Sequence, residues 1–68
     1  MIAFYSDGTR QIKAYDHGSD WLLHDGKNER WFSTWSNDRR ASLHAAFSRF
    51  LGHDVNPNEI HGLKDIKA

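Results

Sequence analysis

The sequence predicts an α+β domain: a four-stranded antiparallel sheet built from two successive hairpins, one amphipathic helix packed across one face, and a short C-terminal helical turn. Three observations carry this. Apolar residues alternate through the first half of the chain, as in MIAFYS and QIKAYD. Asp-Gly pairs recur at Asp7-Gly8 and Asp25-Gly26, and such pairs between alternating runs are a strong hairpin signal. Past Asn37 the period changes: Leu43, Phe47, Phe50 and Leu51, with Ala46 beside them, follow the 3.6-residue spacing of a helix.

In the first hairpin, Ile2 and Phe4 lie on one side of their strand and Ala3 and Tyr5 on the other. The returning strand sets Ile12 and Ala14 against Lys13 and Tyr15. A two-residue loop would place Ile2 on the face of Lys13. A three-residue loop with Gly8 left-handed keeps Ile2, Phe4, Ile12 and Ala14 together, and this register is expected because register follows the buried face. DHGSD at 16–20 is a second turn, Trp21 to His24 a third strand, and Glu29 to Trp35 a fourth. In the fourth, Trp31, Ser33 and Trp35 share one face, and Phe32 and Thr34 the other. A sheet covered on one side by one helix cannot bury both sets. One is left partly exposed unless the C-terminal tail forms a second layer.

The helix should begin at Ser36 or Asn37 as N-cap, with Asp38 in its first turn, and end at Gly52 as the C′ residue, spanning about 14 residues. Asn56-Pro57-Asn58-Glu59 reads as a second, short helix start: Asn56 can cap, Pro57 suits the first helical position, and Glu59 follows the cap by three. Ile60, Leu63 and Ile66 then close the edge of the core. No linker or second domain is visible, so residues 1–68 form a single small domain.

Composition narrows the function classes. At 68 residues the chain is small, and a domain of about 60 residues buries only about 60% of its unfolded surface. Leu, Ile, Val and Phe together supply just 14 residues, but three Trp, two Tyr and four Phe compensate with large burial areas. Cysteine is absent, which excludes disulfides and thiolate metal sites and fits a cytoplasmic setting. Formal net charge is zero, against a general polyanion binder. Charge is unevenly placed, however. Residues 30–50 carry Arg30, Arg39, Arg40 and Arg49 against Asp38 alone. No apolar run approaches a membrane span, and the N-terminal residues lack the pattern of a signal peptide. The expectation is a soluble protein with no membrane partner.

Catalysis finds little support. His17, His24, His44, His53 and His61 lack the close spacing of a helical zinc site, so exposed or turn histidines are the expectation, with no metal and no cofactor. Ser42 and His44 do not face each other on a helix, and most of the aspartates sit in turns, where backbone geometry favours them. No catalytic residue is assigned and no enzyme is expected.

The arginines and aromatics say more. Arg39 and Arg40 fall in the first helical turn, where a positive charge opposes the helix dipole at a cost of a few tenths to about 1 kcal/mol each. Either nearby carboxylates offset them or they face an anionic partner. Exposed aromatics beside arginines have the composition of an interface hot spot. The sequence therefore points to a small non-catalytic binding protein that engages a protein partner as a regulator or inhibitor, of the kind phages and mobile elements use. Its contact would be formed by Arg30, Trp31, Trp35, Arg39, Arg40, Tyr5 and Tyr15. A homodimer hiding the same aromatics is a competing arrangement. The alternative function is nucleic-acid binding through Arg30, Arg39, Arg40 and Arg49 with the tryptophans stacking on bases.

Overall fold

The computed structural model describes residues 1–34 and 38–66. Four strands, β1 (Ala3–Ser6), β2 (Gln11–Asp16), β3 (Asp20–His24) and β4 (Glu29–Ser33), form an antiparallel meander. The helix α1 (Arg39–Leu51) packs on one face. This is the α+β architecture expected from the sequence, with one addition. After a 3-10 turn at Pro57–Glu59, the chain forms a two-residue strand β5 (Ile60–His61) that pairs with β1, giving the order β4-β3-β2-β1-β5. A second 3-10 turn, Leu63–Asp65, follows. Among the described residues the C-terminal segment therefore extends the sheet and packs beside α1, and does not cover the second face.

The three meander loops share one geometry. In Asp7–Arg10, His17–Asp20 and Asp25–Asn28, the N–H of the first residue donates to the carbonyl of the fourth, at 3.3, 2.9 and 3.2 Å. Glycine holds the second position at Gly8, Gly18 and Gly26, with φ between 83° and 96°, a region that L side chains avoid. Asp7 Oδ1 accepts from the N–H groups of Thr9 and Arg10, at 2.9 and 2.7 Å. Asp25 Oδ1 does the same for Lys27 and Asn28, at 2.9 and 2.8 Å. The carboxylate thus holds a four-residue loop, one residue longer than expected for the first hairpin.

That extra residue corrects the register. Ala3 faces Ala14 and Tyr5 faces Ile12, so the buried side of β1 is Ala3 and Tyr5, while Phe4 lies on the opposite face across from Lys13. The inner face continues with Trp21 and Leu23 of β3 and Phe32 of β4. Leu43, Ala46 and Phe47 of α1 cover it, and Val55, Ile60 and Leu63 close one side, all buried. Ile66 packs against this core partly buried.

The start of α1 also differs from expectation. Its N-cap is Asp38, whose carboxylate accepts from Ala41 N–H at 3.1 Å; Ser36 and Asn37 lie outside the described residues. Gly52 ends the helix as expected, its N–H donating to the Ser48 carbonyl at 2.8 Å. Asn56 caps the short turn after it, accepting from Asn58 N–H at 3.0 Å. Where β5 meets the N-terminal strand, Gly62 has φ of 89° and a Cβ there would sit 2.7 Å from the Ile2 carbonyl oxygen, so both conformation and space demand glycine.

Trp21 joins the layers. Its indole is fully buried and Nε1–H donates to Ser42 Oγ at 2.9 Å, while the Ser42 hydroxyl in turn donates to the Ser33 carbonyl at 3.4 Å. Ser42 is the buried polar side chain of the core. Ser42→Ala leaves a buried indole N–H without its acceptor and should cost about 1–3 kcal/mol in urea unfolding. In a Trp21→Phe background the same change should cost clearly less, and equal costs in both backgrounds would show that the bond contributes nothing.

The turn carboxylates make stability depend on acid. Backbone N–H groups of Arg10 and then Thr9 lower the Asp7 pKa to about 2. Asp25 is lowered by the N–H groups of Asn28 and Lys27. Asp16 is lowered first by Gly18 N–H; burial opposes this, and the Arg39 guanidinium adds to the lowering. All three bind protons more weakly folded than unfolded, so their contribution is complete above the unfolded carboxylate pKa of about 4 and is lost as pH falls toward the folded values. The urea midpoint should therefore fall between roughly pH 4 and pH 2, and Asp7→Asn should make the fall shallower.

Candidate functional site

The face of the sheet away from α1 has no covering layer among the described residues. The pairing register arranges its side chains in two rows. One row runs His61, Phe4, Lys13, His24, Glu29; the next runs Tyr15, Leu22, Trp31. Trp31 is 56% exposed and, with Met1, is one of two large hydrophobic side chains that the described residues leave open to solvent. Leu22 and Tyr15 in its row, and Phe4 in the other, are half-buried.

Among the described residues, each aromatic ring on this face carries a histidine. Phe4 stacks on His61 with centroids 6.1 Å apart, and Tyr15 stacks on His24 at 5.5 Å with the rings parallel within 2°. His17 meets Trp31 edge-on at 5.0 Å. Parallel and edge-on contacts are the favourable geometries for such rings. The histidines reach the face from three places: the β2–β3 loop, β3 and β5. Charge here is mixed, with Lys13 set against Glu29 and Asp20. Among the described residues no three His, Asp or Glu side chains gather as metal ligands.

The residues expected at a contact surface separate. Tyr5 is buried at 3% exposure and packs on Phe47, with its hydroxyl donating to Asp7 at 3.1 Å; burial first and then the Asp7 carboxylate raise its pKa. It belongs to the core and is withdrawn from the surface. Tyr15 and Trp31 are on the open face. Trp35 lies outside the described residues. Arg39 bonds Asp16 at 2.6 Å and its guanidinium lies 4.8 Å over the Trp21 ring. Arg40 donates to the carbonyls of Leu63, Lys64 and Ile66 at 3.2, 3.2 and 2.9 Å, fastening the C-terminal turn to the helix. The sheet carboxylate does offset one helix-start arginine, while main-chain oxygens hold the other.

Arg30 and Arg49 are exposed near the other side of β4. Arg30 lies 5.1 Å over the Phe32 ring. Arg49, Ala45, Ala46 and Ser42 of α1 line a groove with Trp31, Phe32 and Ser33 of β4, about 140 Å³ in volume, below the roughly 300–1,000 Å³ of small-molecule sites. A wider depression of about 490 Å³ follows the C-terminal turns past His61, Lys64 and Asp65.

Sequence reasoning missed the part played by histidine. His17, His24 and His61 were legible only as isolated residues, because the ring partners are set by a cross-strand register and by a strand two residues long. His44 is structural: its Nε2 meets the Val55 carbonyl at 2.6 Å, and Ser48 Oγ accepts from Val55 N–H at 3.2 Å. No helix among the described residues is long and apolar enough to cross a membrane. No protein-family model, curated protein or solved structure matches this chain.

Proposed function

We propose that this chain is a non-catalytic binding protein that engages a protein partner through the open face of its sheet, acting as a regulator or inhibitor. The observation that carries the proposal is Trp31, a large aromatic side chain left 56% exposed in the middle of a strand. It is flanked by half-buried Leu22 and Tyr15 and by the aromatic–histidine pairs. Tryptophan and tyrosine supply large contact area at low entropic cost and dominate interface energies. The mixed charge of the face supports a protein partner over a polyanion. The lack of cysteine supports a cytoplasmic setting.

Nucleic-acid binding through Arg30, Arg39, Arg40 and Arg49 is the competing proposal. It loses Arg39 and Arg40 to contacts within the chain, leaving Arg30 and Arg49 beside the groove.

Trp31→Ala separates binding from folding. It should change unfolding stability by less than about 1 kcal/mol, since surface substitutions cost little. It should weaken partner binding by about 2 kcal/mol or more, roughly 30-fold. The measurement is affinity capture from the native host with the wild-type and Trp31→Ala chains side by side, followed by titration of the retained protein. Equal retention by both chains would remove the open face as the contact. Retention of nucleic acid, released steeply by salt, would favour the competing proposal.

A further inference from the structure

We propose that β4 is a self-complementary sheet edge through which two copies of this chain join, antiparallel about a two-fold axis at Trp31. The inference does not rest on the partner proposal, because it concerns the isolated chain.

The backbone groups of β4 point alternately toward β3 and away from it. Asp25 N–H donates to the Asn28 carbonyl and Thr34 N–H to the Ser19 carbonyl, bracketing β4 on its β3 side. Antiparallel ladders alternate, so between these brackets Arg30 and Phe32 direct their N–H and C=O toward β3. Glu29, Trp31 and Ser33 direct theirs outward. On that side no strand follows β4 among the described residues. Ser42 Oγ donates to one outward group, the Ser33 carbonyl, which has a second lone pair.

Natural edges are blunted by charged side chains, lysine above all, by proline, bulges or shortness, or by a covering helix or loop. β4 has no proline or lysine, its two charges, Glu29 and Arg30, are of opposite sign, and its register with β3 runs unbroken from Glu29 to Ser33. The opposite edge, β5, is two residues long, which leaves β4 as the sheet's long open edge among the described residues.

The sequence of β4 then selects the register. Outward residues can pair only with outward residues, so a two-fold axis can lie at Arg30, Trp31 or Phe32. At Arg30 it sets arginine directly against arginine. At Phe32 it carries Glu29 beyond the end of the strand. At Trp31 all five residues pair: Trp31 with Trp31, Glu29 with Ser33, and Arg30 with Phe32 of the second copy. Cross-strand aromatic pairs are favourable. Arg30, already over the Phe32 ring of its own chain at 5.1 Å, meets the same ring chemistry across the axis. A net charge of zero adds no long-range repulsion between copies. The product is one continuous sheet with both helices on one face and both Trp31 rings side by side on the other.

Sedimentation equilibrium of the purified chain tests this. The expected mass is twice 7.9 kDa, falling to the single-chain value in Trp31→Pro. That substitution removes only an outward N–H from the backbone ladder, a position where an edge strand tolerates proline. Cross-linking keeps the test decisive if that variant misfolds, because the chain has no cysteine of its own. Trp31→Cys should oxidise to a disulfide-linked pair, since residues directly opposite lie about 5.5 Å apart. Glu29→Cys should not link to itself, but should link to Ser33→Cys in a mixture. A single-chain mass at every concentration, or Glu29→Cys linking to itself as readily as Trp31→Cys, would overturn the proposal.

Discussion

The structure depends on the placement of one indole. Trp21 is fully buried between sheet and helix, and burying an indole without a partner for its N–H is costly. Ser42 supplies the partner, and by donating onward to Ser33 it links β3, α1 and β4 in one chain of bonds. The face of the ring lies beneath Arg39, itself held by Asp16, the residue opposite Trp21 in the β2–β3 ladder. A one-residue slip would turn Trp21 to the other face and break every one of these contacts. The arginine that opens α1 against the helix dipole is thus explained by what lies under it.

The elements of this fold are legible in the sequence, and their registers less so. Asp7-Gly8 and Asp25-Gly26 announce hairpins correctly, but loop length depends on which N–H groups the aspartate accepts. Asp7 reaches Arg10, and the loop grows to four residues. Because side chains alternate, that single residue exchanges Phe4 with Tyr5: the expected core residue faces out and the expected surface residue is buried. The helical period of Leu43, Ala46 and Phe47 stands because it needs no distant partner. β5 escapes because two residues have no period, and Arg40 because its acceptors lie more than twenty positions along the chain.

The candidate site follows the same logic. That strand 4 must leave one set of aromatics uncovered is readable from alternation; that the set is Trp31, with Phe32 turned toward the helix, is decided by Trp21 pairing with Phe32 on the inner side. The sheet then has two aromatic faces of different character. The inner one is sealed by Leu43 and Phe47, and the outer one matches each ring with an imidazole. The imidazoles give each of these rings a polar neighbour, stacked on Phe4 and Tyr15 and edge-on to Trp31.

The joining of β1 to β5 closes the longest loop of the sheet. The three meander loops close contacts between neighbours in sequence, and such local pairings form early at little entropic cost. The Phe4–His61 pairing spans nearly the whole chain and carries the largest loop-closure cost of the sheet, so it is expected to form late. The last turns therefore act as a latch, held by Arg40 from the helix and by the tight fit of Gly62 against Ile2. Opening the latch bares the edge of β1. A chain with one open edge can close with a single copy of itself; a chain with two can polymerise without limit.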